Sequence, residues 1–168
     1  MPVVLHEGRW SLVPLNVQSA SIEVRLATDA TVREWTFYPV GLSVEGAADR
    51  ARRSVRNMQT RRGQRYVIRE GREPVGTAGI GTTLDGAAEL YYALLPEARG
   101  RGAASAAVRA LQRWTREAGI QRLQATTLIG NTSSERVLRA AGFLSAGLTT
   151  DSRDGRALRV WRSFCPRS

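Results

Sequence analysis

Just past its midpoint the hydrophobic pattern of this chain changes period, and the place where it does so restricts the folds open to it. Ala88 to Leu95 is a short apolar run closed by Pro96, which reads as a strand. From Gly102 to Ala118, apolar residues instead fall at Ala104, Ala107, Val108, Leu111 and Trp114. That 3.6-residue spacing predicts a helix, capped by Gly119. The connection, Pro96 to Ala104, holds Arg99, Gly100, Arg101 and Gly102 and opens directly into the helix. The first N–H groups of a helix lack intrahelical partners and stand at the positive end of its dipole. Glycine lets a phosphate approach the backbone there. The segment is therefore an anion site in outline, and Ala103, Ala104, Ala106 and Ala107 let its helix lie close to a sheet. Two other readings compete: a dinucleotide-binding loop, or an arginine-rich loop that only caps a helix. The first is weakened by Ser105 at the third fingerprint position and by the loop lying past the chain's midpoint, too late for the βα repeats that follow such a loop.

Around this segment the elements read in order. Arg9 to Leu15 is a first strand and Ser19 to Ala27 a helix. Trp35 to Val40 is an aromatic segment closed by Pro39 and Gly41. Gly46 to Arg62 is an arginine-rich helix stopped by Gly63. Arg65 to Arg69 and Pro74 to Thr83 are strands joined by a Glu70-Gly71 turn, and Asp85-Gly86 is a hairpin turn into the next strand. Leu123 to Ile129 is a strand and Asn131 to Ala141 a short helix. Phe143 to Thr149 and Arg156 to Phe164 close the chain around Asp154-Gly155. A meander, a helix, a strand, a helix and a hairpin make an α+β (mixed α/β) fold with helices covering a central sheet. Neither a repeat nor a linker divides the 168 residues, so we expect one domain over 1–168.

Composition removes several chemistries. All 25 basic residues are arginine. Without lysine there is neither a Walker A loop nor a Schiff-base lysine. His6 and Cys165 are the lone histidine and cysteine, a poor start for a zinc site or a Ser-His-Asp triad, so no metal is expected. One thiol forms no internal disulfide, which suits a reducing, cytoplasmic setting. We find neither a secretory signal nor an apolar run of membrane-spanning length. The net charge of +10 favours anionic partners: a polyphosphate cofactor, an acidic peptide or nucleic acid.

Two motifs then give the chain a family resemblance. Arg99-x-x-Gly102-x-Ala104 resembles the pyrophosphate signature of the GNAT superfamily of N-acetyltransferases, and Tyr91 to Gly102 resembles the strand, proline and loop that carry it. Asn131-x-x-Ser134-x-x-Val137-Leu138-x-x-x-Gly142-Phe143 resembles the second motif. Gly8-Arg9 before Leu12 to Leu15, and Trp35 to Pro39, are similar to the RimJ/RimL-like branch. The resemblance implies a mostly antiparallel sheet, splayed between Ala88–Leu95 and Leu123–Ile129 to admit acetyl-CoA. It implies that the Tyr92 and Leu94 backbone pairs with the pantetheine arm. The Leu94 amide would face the acetyl carbonyl, where a donor stabilises an oxyanion. Gly100 and the amides of Arg101, Gly102, Ala103 and Ala104 would hold the pyrophosphate, with Arg99 adding charge. Asn131, Arg136 and Arg139 would also meet the cofactor.

The implied reaction is direct attack of an amine on the thioester. Glu89 is the candidate general base, on the strand leading to the acetyl site. Leu138 stands where many relatives have the tyrosine that protonates the leaving thiolate, so Ser134 is the substitute, with Tyr91 and Tyr92 as further donors. Trp35, Phe37, Tyr38 and the Asp151 to Arg156 loop would line the acceptor site. A protein N-terminus is the first acceptor expected and an antibiotic or other small amine the second; a homodimer is a family prior. An RNA-binding or acyl-CoA-binding module without catalysis is the alternative from another class. It rests on the cluster Arg50, Arg52, Arg53, Arg56, Arg61, Arg62 and Arg65. No base-stacking aromatics are interleaved with that cluster, which makes nucleic acid the weaker reading.

Overall fold

The computed structural model describes residues 3–83 and 85–164. Its elements, in order, are β1 (Leu5–Glu7), β2 (Trp10–Pro14), α1 (Ser21–Thr28), α2 (Ala30–Trp35), α3 (Val44–Gln59), β3 (Gly63–Glu70), β4 (Glu73–Thr82), β5 (Ala88–Leu94), α4 (Ala103–Glu117), β6 (Arg122–Leu128), α5 (Thr132–Ala140), β7 (Leu144–Thr150) and β8 (Ala157–Phe164). The strands form one open sheet in the order β1-β2-β3-β4-β5-β6-β8-β7. Every neighbouring pair is antiparallel except β5 and β6. This is the mixed α+β fold expected.

Strand alternation divides the side chains between two cores. Tyr66, Ile68, Ala78, Ile80, Leu90, Leu123 and Trp161 face α4, whose Ala103, Ala106, Ala107 and Ala110 are buried against them. These small residues hold the helix close to the sheet. On the other face Val67 and Ala93 pack with Leu15, Ile22, Leu26, Val32, Ala47 and Ala51 from the N-terminal segments. Residues with odd numbers on β3 and β5 thus face α1, α2 and α3, and even ones face α4.

Several boundaries differ from those read in the sequence. β1 is an additional strand before the one expected first; with three residues it is too short to display a period. α2 lies in the stretch left unassigned between the helix read at Ser19 to Ala27 and the aromatic segment, whose first residue, Trp35, ends it. Its six residues begin after Asp29, whose carboxylate accepts from the Val32 N–H at 2.8 Å. The turn after α3 is made by Arg61 at φ 57, not by Gly63, which already begins β3. Cys165 lies outside the described residues.

Candidate active site

The functional geometry begins where β5 and β6 part. They are paired only at Ala88↔Leu123 and Glu89↔Gln124. Beyond Glu89, β5 stays with β4 as far as Leu94, while β6 stays with β8 as far as Leu128. Each strand is held by its outer neighbour, so the sheet opens into a fork with Glu89 at its apex. The Leu95 N–H donates to the Val75 carbonyl at 2.9 Å. Alternation along an antiparallel strand therefore turns the Tyr92 and Leu94 amides away from β4 and into the opening.

Two cavities meet in the fork. One, of about 270 Å³, lies between Tyr92, Leu94, the Arg99–Gly100 turn, Ala104 and the start of α5. The other, of about 450 Å³, lies between Trp35, Phe37, Tyr38, Glu89, Thr126 and Arg153. Trp35, Tyr92, Asn131 and Ser134 wall both. The structure thus brings together Glu89, Tyr92, Leu94, Asn131, Ser134, Trp35, Phe37 and Tyr38, taken from widely separated parts of the chain.

The loop before α4 is an open cradle. Gly100 and Gly102 have φ of 70° and 88°, in the left-handed region, and a Cβ on either would meet nothing within 4 Å. No side chain caps α4, whose first backbone bond runs from the Ala106 N–H to the Gly102 carbonyl. The amides of Ala103 and Ala104 are therefore available to an anion. The donors at Tyr92 and Leu94 continue that line into the fork, so the residues present fit an extended ligand carrying a pyrophosphate.

The arginines of this region behave differently from one another. Arg99 turns back to Asp29 (2.6 Å) and to the Leu94 carbonyl (3.1 Å), tying the loop to α2 and β5. Burial raises the Asp29 pKa, but Arg99 and the Val32 amide outweigh it and hold the carboxyl below its ordinary range. Arg101 leaves the cradle: its guanidinium bonds Glu70 at 2.7 Å. Arg139 pairs with Glu135 at 3.1 Å and lies over the Trp161 ring. Arg136 is exposed on α5.

Glu89 is half-buried and accepts from Thr126 Oγ1 at 3.2 Å. Burial pushes its pKa up; the Thr126 bond and Arg153 pull against this, and Asp151 adds to it. Asp151 is itself held at about 2 by Arg153, so it stays ionised beside Glu89. Arg153 also covers the Phe37 ring, 3.5 Å from its centroid. Asn131 caps α5 by accepting from the Ser134 N–H at 3.2 Å. Tyr92 donates to the Ser134 carbonyl at 3.4 Å, and burial lifts its hydroxyl to about 12. Among the described residues no cluster of His, Cys, Asp or Glu suits a metal, and no helix is long and apolar enough to cross a membrane.

Sequence reasoning missed Glu23. It is fully buried, with Arg50 Nε at 2.7 Å and Arg65 at 2.8 Å. Tyr38 joins this group, bonded to Thr77 Oγ1 at 2.8 Å. The signal was present: Glu23 sits inside the buried stripe Ile22, Leu26, Ala27 of α1. A carboxylate in an apolar stripe implies partners arriving from elsewhere.

Residues 9–144 match the family model described as the acetyltransferase (GNAT) domain. A search of curated protein sequences finds no match. Among solved structures, the chain is similar to RimL, a ribosomal L7/L12 alpha-N-protein acetyltransferase in complex with coenzyme A, at 16% identity and TM-score 0.87, over 99% of this chain and 100% of that one. It is similar to Mycobacterium smegmatis RimJ in complex with CoA-disulfide, at 22% identity and TM-score 0.82, over 98% and 87%. It is also similar to the microcin C7 self-immunity acetyltransferase MccE in complex with acetyl-CoA and AMP, at 14% identity and TM-score 0.81, over 94% and 93%. With the family model covering most of its length, the fork, the cradle and the carboxylate between them are those of a chain that belongs to the GNAT acetyltransferases.

Proposed function

We propose that this chain transfers an acetyl group from acetyl-CoA to a primary amine, with a peptide N-terminus as acceptor. One observation carries the reading: the fork places Glu89 at its apex with the Tyr92 and Leu94 amides aimed into the same opening. When bound, acetyl-CoA supplies the acyl group as a thioester. The cradle amides and the Leu94 backbone, nearest the cradle, hold and align it. The Tyr92 N–H, the next donor toward Glu89, rather than the Leu94 amide expected from the sequence, donates to the carbonyl oxygen as charge grows there. The acceptor enters through the larger cavity, past Trp35 and Phe37. Glu89, poised by burial, takes the proton from the ammonium group through bridging water so that a neutral amine attacks. Thr126 orients the Glu89 carboxylate. Ser134, on the wall common to both cavities, relays the second proton of the attacking nitrogen to the departing sulfur, so that its own hydroxyl is restored as the thiol leaves. Tyr92 keeps its own proton at neutral pH and serves as a fixed donor to the first turn of α5.

The test is calorimetric titration of the purified protein with acetyl-CoA, with NAD as control, followed by thiol release in the presence of short peptides. We expect saturable binding of acetyl-CoA alone, and thiol released in proportion to peptide. Failure to bind acetyl-CoA rejects the cradle. Binding without thiol release from any amine rejects the transfer reaction.

A further inference from the structure

We infer that the acceptor peptide carries an acidic residue at its third or fourth position, held in an arginine groove beside α3; this rests on the amine acetyltransferase reading above. The groove follows from register. Glu89 pairs with Gly81 and Gly81 with Gly63, so the row across β5, β4 and β3 that begins at the carboxylate has no further side chain. The next row on the same face is Tyr91, Gly79 and Arg65. There the outer side chains meet over the central glycine: the Arg65 guanidinium lies 4.7 Å from the Tyr91 ring centroid. A Cβ at Gly79 would come within 2.4 Å of the Tyr91 hydroxyl. One at Gly81 would meet nothing within 4 Å. The result is an open trench floored by glycine, running from Glu89 along the wall made by Tyr91.

The trench ends in a cavity of about 260 Å³ lined by Arg50, Arg53, Arg62 and Arg65, without an aspartate or glutamate in its lining. Arg50, Arg65 and Tyr91 wall this cavity and the Glu89 cavity alike. Glu23 is the carboxylate partner of both Arg50 and Arg65, which leaves one positive charge over. Arg53 and Arg62 make no ion pair among the described residues. Arg52, on the same helix, is occupied by Glu45 and Asp49 and lies outside the groove. Excess positive charge therefore gathers at the far end of the trench, where guanidinium groups bind a carboxylate in two-point fashion. Strands stand roughly 4.8 Å apart, so β5 to β3 is about 10 Å, or about three residues of extended peptide. An amine at Glu89 thus puts the side chain of the third or fourth residue among the arginines.

The protein saturated with CoA is titrated with two C-terminally amidated tetrapeptides, Ala-Gly-Glu-Ala and Ala-Gly-Gln-Ala. The acidic peptide should bind roughly tenfold more tightly, the size of one hydrogen-bonded charge contact. The preference should weaken as salt rises and vanish in the double variant Arg53→Gln, Arg62→Gln. Equal binding of the two peptides overturns the inference, as does a preference that survives the double variant. So does stronger competition by O-phosphoethanolamine than by the acidic peptide, which would point to a small phosphorylated amine. Thiol release in a parallel assay, with acetyl-CoA in place of CoA, separates the two readings. Arginine-dependent binding without release leaves the groove standing and removes the transferase; equal release from both peptides does the reverse.

Discussion

At the scale of the residue, Glu89 shows what a single side chain can be made to do. Its backbone is the last point at which β5 and β6 hold together, and its carboxylate accepts from Thr126 on the wall of the larger cavity. Burial raises its pKa, so the proton stays on longer as pH rises. Only the ionised form is a base. Turnover should therefore fall as pH drops through a value above the ordinary carboxylate range. Glu89→Gln should lower kcat by about 100-fold, the usual loss when a positioned base is removed, and should flatten that limb while leaving acetyl-CoA affinity nearly intact. An unaltered pH profile would remove Glu89 as the base. Stability follows the opposite sign. A carboxyl whose folded pKa is raised is favourable while protonated, and that contribution is lost as pH rises through the folded pKa. At neutral pH the Gln variant should melt no lower than the parent, a pairing of lost rate and kept stability that distinguishes a chemical role from a structural one. Glu89 was legible in the sequence as an acid on the strand leading to the loop. Thr126 was not, because nothing local says which residue of β6 lies beside it.

At the scale of the element, the fork and the cradle divide the work. The fork exists because β4 and β8 occupy the outer edges of β5 and β6 over their full lengths. The cradle exists because Gly102 holds a left-handed conformation at the start of a helix without a side-chain cap. Gly102→Glu should abolish acetyl-CoA binding by placing bulk and negative charge in the cradle proposed to hold the pyrophosphate. Its structural cost is smaller, about 1–2 kcal/mol for a left-handed non-glycine residue. Gly86→Ala is the control: Gly86 has φ 78° in a turn away from the cradle, so this variant should melt lower yet bind normally. Calorimetry and thermal melts on the pair check both statements, and retained affinity in Gly102→Glu would reject the cradle. The strand–loop–helix was legible because its signals are local: a change of period, a proline, two glycines. β1 and α2 were not, since elements of three and six residues are too short to repeat a pattern.

At the scale of the whole molecule, Glu23 joins layers that the sequence leaves apart. From α1 it binds Arg50 of α3 and Arg65 of β3, with neither arginine side chain more than 24% exposed. Removing one member of such a buried group leaves the others uncompensated. Glu23→Gln should cost about 3 kcal/mol, read as a lower denaturation midpoint in urea. A change below about 0.5 kcal/mol, the size expected of an ordinary surface substitution, would show that water takes over from the carboxylate.

The sequence by itself determined the order of the longer elements, the glycine- and arginine-rich make-up of the loop before α4 and, through two motifs, the family. These rest on period, backbone freedom and charge within a few residues, all of which are local. Only the tertiary structure decided that Glu23 is buried between two arginines. It alone turned the cluster around α3 into a groove for Arg50, Arg53, Arg62 and Arg65, and a solvated remainder. It alone aligned Gly63, Gly81 and Glu89 in one row. Such facts depend on cross-strand register, and register is set by pairing between distant segments once a whole face is buried.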